Sequence, residues 1–306
     1  MKLFISIVII GMALSLSRAY SEKTSDTPSL NNAFSDNLVS ESFLIHYKFP
    51  EKTVRRYSLS VDDWEKMMVD GSIRERKQSF TLIFTQEYLP IDEEGIGAWV
   101  QTFEEGKYQG INVKGLAGKK VICRISSTGK ILSTEGLQAL FNEFVKLMQK
   151  SMAFYIPGLD RLPVKIDFTR MPSALFHPLY QPFIPIFPEK PVKIGETWAR
   201  EEGISRHIAK EANSMYRLEE VKERVAKLSL FTEKPKDENI KNRIFSAGTI
   251  FFNIESGELQ EMEAFLEADG VNMNPARIAP GMIQASKDIT GKKRTKLIVK
   301  QLLPTS

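Results

Sequence analysis

One cysteine and three histidines in 306 residues leave little material for several common chemistries. Cys123 has no second cysteine to pair with, so an intramolecular disulfide and a thiolate metal cluster are both excluded. His46, His177 and His207 lie far apart, with no His-x-His or His-x-x-x-His pair to build a compact metal centre. The chain has no G-x-x-x-x-G-K-[ST] phosphate loop and no G-x-S-x-G nucleophile elbow. Ser127-x-x-Lys130 has the spacing of a Ser-Lys pair, but it falls on an expected hairpin turn where that chemistry needs the start of a helix. Ser205 and His207 share a face if the chain is extended there, yet no acidic partner accompanies them. Asp92, Glu93 and Glu94 form a solvated acidic run instead of the alternating oxygen ligands of a calcium loop. No catalytic residue, metal or cofactor is therefore expected, and the chain reads as non-enzymatic.

An excess of one charge is also missing. The formal net charge is +4, and loss of Lys2 and Arg18 with an N-terminal segment lowers it to +2, which gives no basic field for nucleic acid. That segment, residues 1–19, has Lys2, then a nearly continuous apolar run from Leu3 to Leu16, then Ser17, Arg18 and Ala19 as a small-x-small cleavage site. This is the layout of a secretory signal peptide. The apolar run is short for a membrane span of about 20 residues. The expectation is an exported protein, periplasmic or secreted, with no stable transmembrane span after cleavage. Residues 20–40 are rich in Ser, Asn, Asp and Thr and read as a flexible leader.

From residue 41 the dominant period is two. Phe43, Ile45, Tyr47 and Phe49 alternate with polar or exposed neighbours, as do Tyr57, Leu59 and Val61, then Phe80, Leu82 and Phe84. Further strands are expected at 98–103, 111–116 and 120–126. CRISSTGKILSTEG and FFNIESGELQEMEA read as hairpins turning at Gly129 and Gly257. Cys123, within the alternating run Val121, Cys123, Ile125, reads as a buried small hydrophobe. The stretch 259–268 fits either period, and strand is preferred because the Gly257 turn follows a strong strand directly.

Between two β halves, 41–133 and 192–303, lies TEGLQALFNEFVKLMQKSMAFY, residues 134–155. Its apolar residues recur at three and four, the stripe of an amphipathic helix roughly 33 Å long. Ser133 or Thr134 with Glu135 would cap the first turn, and Pro157 and Gly158 would stop the last. The expected fold class is thus α+β, mainly antiparallel β: one β-rich domain, 41–306, whose curved sheet or open half-barrel packs on one long central helix. The connection 171–191 carries six prolines, which forbid helix interior and central strand. Near the C-terminus, Lys292, Lys293, Arg294, Lys296 and Lys300 alternate with or precede apolar residues, the pattern of a charged edge strand; contact with anionic lipid headgroups is the alternative.

PVKIGETWARE (191–201), MYRLEEV and GTIFFNIESGELQEM resemble an uncharacterised family of exported bacterial β proteins, many of them lipoproteins, with a P-V-K-x-G-[DE]-x-W strand start. The resemblance implies an envelope location and antiparallel β structure, and no reaction. This chain lacks the lipobox cysteine of such lipoproteins. In strand count and one long helix it is also similar to open half-barrel lipoprotein carriers, an analogy of architecture alone. The surplus of large apolar side chains on helix and connection suggests an apolar ligand or lipid acyl chain held between sheet and helix, lined by Leu137, Phe141, Phe144, Met148, Phe176, Phe183 and Phe187. The alternative is an assembly module that holds an envelope partner protein through a sheet edge or apolar patch.

Overall fold

The computed structural model describes residues 41–69, 72–140, 142–143, 184–199, 214–232, 243–272 and 290–303. Their strands are β1 (Ser42–Phe43), β2 (Val54–Val69), β3 (Ser72–Leu89), β4 (Gly97–Tyr108), β5 (Ile111–Asn112), β6 (Lys120–Ile125), β7 (Ile131–Glu135), β8 (Val192–Lys193), β9 (Thr197–Ala199), β10 (Ser214–Lys222), β11 (Val225–Thr232), β12 (Arg243–Asn253), β13 (Glu258–Asn272) and β14 (Thr290–Leu302). β1 pairs with β8. The others form one 12-stranded antiparallel sheet in the order β7-β6-β4-β3-β2-β14-β13-β12-β11-β10-β9, with β5 against β4. The sheet is curved and does not close.

The α+β class with a long central helix is overturned. Ser133, Thr134 and Glu135, expected at the helix start, are the last residues of β7, with Thr134 opposite Cys123 and Glu135 opposite Ile122. Gly136 then turns the chain at φ 82°, and helix among the described residues is confined to 137–143. The reason is local: Ser-Thr-Glu suits a helix cap or the end of a strand equally, and the ladder to β6 satisfies the backbone groups that a cap would have served. Residues 144–155 lie outside the described residues.

Sheet curvature follows from where one extended segment makes its bonds. Residues 44–49 join no ladder, yet Ile45, Tyr47 and Phe49 are buried and Leu44 is 46% exposed, so the expected alternation holds without a partner strand. Tyr47 N donates to Ser127 O in the β6–β7 turn (2.7 Å), and the next residue, Lys48, donates to Gly257 O in the β12–β13 turn (3.4 Å). In a flat sheet β6 and β12 would stand six spacings apart, roughly 29 Å. Consecutive residues reach both turns only because the sheet curls around this strap. The two turn glycines are where it passes. Gly129 (φ 93°) and Gly257 (φ 69°) have left-handed backbones, and a Cβ would meet Pro185 O at 2.2 Å in the first case and Lys48 N at 2.1 Å in the second.

β14 corrects another expectation. It is no edge strand: it runs between β2 and β13, from Gly291 opposite Met67 to Leu302 opposite Arg56, and joins the strands of the two halves into one sheet. Its outward cations meet glutamates of β13, Lys300 with Glu261 at 2.7 Å, Lys296 with Glu263 at 2.6 Å and Arg294 with Glu267 at 3.2 Å. Cross-strand pairing of opposite charges lets a central strand carry a basic face. The preference for strand at 259–268 agrees with β13.

Candidate functional site

Strand alternation sends one set of side chains to the inner, curled face of the sheet, and the ladder registers arrange them in rows. At the strap end lies an aromatic plug. Tyr47 stands 5.9 Å from Trp99 and 5.2 Å from Phe252 between ring centroids, and Phe187 packs on Phe252 at 4.6 Å. Phe49 and Tyr88 flank Trp99. The next row is fully apolar: Leu82, Leu59, Val299, Met262, Ile250, Leu228 and Leu218 follow one another across seven strands. None of them is more than 8% exposed.

One step further from the strap, register sets Tyr108, Phe80, Val61, Leu297 and Ala264 in line, continuing through Gly248, Leu230, Tyr216 and Trp198 over nine strands. This row is different, because Tyr108, Phe80, Val61, Ala264, Gly248 and Trp198 are only half-buried. Its middle is its lowest point. A Cβ on Gly248 would stand 2.6 Å from Glu263 O, so the strands come too close there for any side chain. Beyond it the face turns polar, with Gln78, Asp63, Thr295, Leu266 and Ser246 in register. Thr295 Oγ1 donates to Asp63 Oδ1 at 2.5 Å. Glu65, buried, follows between Arg76 and Lys293 in register. The inner face is therefore an apolar trough, closed by aromatic rings at one end and bordered by polar groups at the other.

A buried polar belt stands beside the plug. Arg55 Nε donates to Glu258 Oε1 at 2.9 Å, with Glu258 only 5% exposed as a side chain. Gln101 Nε2 donates to Gln86 Oε1 at 2.9 Å. Burial raises Tyr57 well above the usual phenol range and pushes Tyr88 up to about 12, with the Glu258 carboxylate adding to both. Burial likewise pushes the Cys123 thiol up, which makes it inert as a nucleophile. His46 is lowered by burial and by Lys48. Among the described residues no three His, Cys, Asp or Glu side chains gather where a metal ion could be held. No helix among them is long and apolar enough to cross a membrane.

Of the lining expected from sequence, Leu137 is fully buried just after β7 and Phe187 forms part of the plug. Phe141, Phe144, Met148, Phe176 and Phe183 lie outside the described residues. Trp198 is half-buried, stacked on Tyr216, with its Nε1 donating to Ile186 O at 3.0 Å. The half-buried trough residues Val61, Phe80, Tyr108 and Ala264 were not among the expected lining. Alternation marks them as inward, but only the register shows that they form one row.

Residues 172–261, which contain the PVKIGETW stretch and the strands from β8 to β12, match a family model described as a family of unknown function, DUF6263. No curated protein matches the chain. Among solved structures, a study of lipid–protein interactions in lipovitellin aligns at 8% identity and a TM-score of 0.41, covering 85% of this chain and 26% of that one. This chain thus spans about a quarter of the lipovitellin chain. DynF from the dynemicin biosynthesis pathway of Micromonospora chersina aligns at 7% identity and a TM-score of 0.20, covering 92% and 94%. A domain from Vibrio parahaemolyticus, described as an outer membrane lipoprotein-sorting protein domain, aligns at 10% identity and a TM-score of 0.12, covering 81% and 87%. All three likenesses are weak and leave the function open.

Proposed function

We propose that the protein is a non-enzymatic, exported binding protein that holds an apolar ligand or lipid acyl chain along the inner face of its curled sheet. The observation that carries this reading is the row from Tyr108 to Trp198, six of whose nine residues are half-buried. It is apolar, nine strands wide, lowest at Ala264 and Gly248, and lies directly on a fully buried apolar layer. Half-buried aromatic and aliphatic groups on a concave surface gain from contact with a hydrocarbon chain, at roughly 25 cal/mol for each Å² removed from water. The polar row at Asp63 and Thr295 would face the ligand's polar end, and the strap would act as the floor.

The test is native mass spectrometry of the exported protein followed by organic extraction and lipid analysis. A stoichiometric lipid is expected in the wild type, and Ala264→Phe, which fills the lowest point of the row, is expected to lose it while still unfolding cooperatively. A clean mass for the wild-type protein, also after incubation with fatty acid, would contradict the reading.

A further inference from the structure

The outward face of β2, β14 and β13, opposite the trough, carries a recess of about 560 Å³. Two adjacent cross-strand rows build it. In one, Phe265, Lys296, Asp62 and Ser79 are directly opposed; in the other, Glu267, Arg294, Trp64 and Lys77 are. Two aromatic rings thus stand on either side of β14, and each is held in place. Arg294 stacks over Trp64 at 5.4 Å and Lys296 lies 5.1 Å from the Phe265 ring centre. Trp64 Nε1 donates to Glu75 Oε1 at 2.6 Å, which fixes the indole edge. Phe265 is 45% exposed, a large apolar group kept at the surface between the outward glutamates Glu263 and Glu267 of the same strand.

The charges decide what this recess takes. Lys77, Arg294 and Lys296 line it together with Asp62 and Glu267, and Glu263 beside it pairs with Lys296, so the signs balance. Arg294 and Lys296 already neutralise Glu267 and Glu263. An anionic headgroup or a nucleic acid would find no net attraction. A purely apolar ligand would strip water from these charged groups without replacing their hydrogen bonds. A neutral ring with an apolar C–H face and a rim of hydroxyls fits both features, since it packs on aromatic rings while its hydroxyls exchange hydrogen bonds with carboxylate, guanidinium and amide groups.

We propose that this outer recess is a binding site for a neutral saccharide, separate from the apolar trough. The volume suits a short oligosaccharide segment, within the range of about 300–1,000 Å³ usual for small-molecule sites. Binding to carbohydrate on this face leaves the inner face free, so both ligands can be held at once.

The test titrates the full chain with maltotriose, cellotriose and triacetylchitotriose, following tryptophan emission and calorimetric heat. One of the three is expected to give a saturable change, absent from the emission of Trp64→Phe and weakened about three- to tenfold in heat by Phe265→Ala, the loss of one ring contact. Raising salt from about 50 to about 500 mM is expected to leave affinity unchanged, because the ligand carries no charge. Phe265 is exposed, so its alanine variant is expected to keep the wild-type unfolding temperature. No saturable heat with any trisaccharide would overturn the proposal, as would binding that Phe265→Ala leaves intact or that salt abolishes.

Discussion

Tyr57 and Tyr88 sit on the inner face near a buried carboxylate, and their hydroxyls stay protonated far above the usual range. The unfolded chain releases those protons near pH 10 while the folded chain retains them. Their contribution to stability is therefore complete below about pH 10 and is lost as pH rises toward 12. For Tyr88 alone, a shift of two units corresponds to about 3 kcal/mol. Alkaline unfolding followed by circular dichroism is expected to begin near pH 10, and Tyr88→Phe is expected to move it upward; an unchanged midpoint would show that other groups control it. Arg55 and Glu258 make the companion case. Glu258→Gln leaves the guanidinium without its countercharge and is expected to cost about 1–3 kcal/mol in urea unfolding, less than a fully buried pair because Arg55 is 38% exposed.

Among the elements, the strap and its two turns separate glycines that need space from glycines that need only backbone freedom. Gly129 and Gly257 combine positive φ with a Cβ position already occupied by the strap or its neighbour Pro185, whereas Gly95 and Gly195 have positive φ and open space. Alanine at Gly95 or Gly195 is expected to cost about 1–2 kcal/mol, the left-handed penalty alone. At Gly129 or Gly257 it is expected to cost several times that and to loosen residues 44–49, visible as faster amide exchange at Tyr47; equal costs at all four positions would remove the strap from the account. Both turns were legible in the sequence because Gly between hydrophobic runs is a local signal. The strap was legible only as an alternating strand, since periodicity reports which side is buried and not whether a ladder partner exists. The helix expected at 134–155 shows the same limit from the other side: Leu137 and Leu140 are buried as its stripe required, but Thr134 and Glu135 are taken by the β6–β7 hairpin, where they pair with Cys123 and Ile122.

At the scale of the whole molecule, β14 joins the two halves of the sheet, because the ladder runs from β2 to β13 through its pairing with both. Amides of β14 that face Leu59 and Met262 are accordingly expected to exchange among the slowest in the protein, where an edge strand would exchange early. The sequence showed the basic face of β14 but not its neighbours, and an alternating lysine pattern reads as an edge until the glutamates of β13 are placed beside it. The same holds for the trough: inward residues were visible strand by strand, while the row they form depends on nine strands in register. Its most direct test is photo-crosslinking with a fatty acid carrying a diazirine near the middle of its chain, with the modified residues mapped by peptide mass spectrometry. Adducts competed away by unlabelled fatty acid should fall on Phe80, Val61, Tyr108 and Ala264, with none on the outward residues Ile83, Phe251 and Phe265. Adducts spread over both faces, or none that compete, would contradict an apolar ligand held inside the curled sheet.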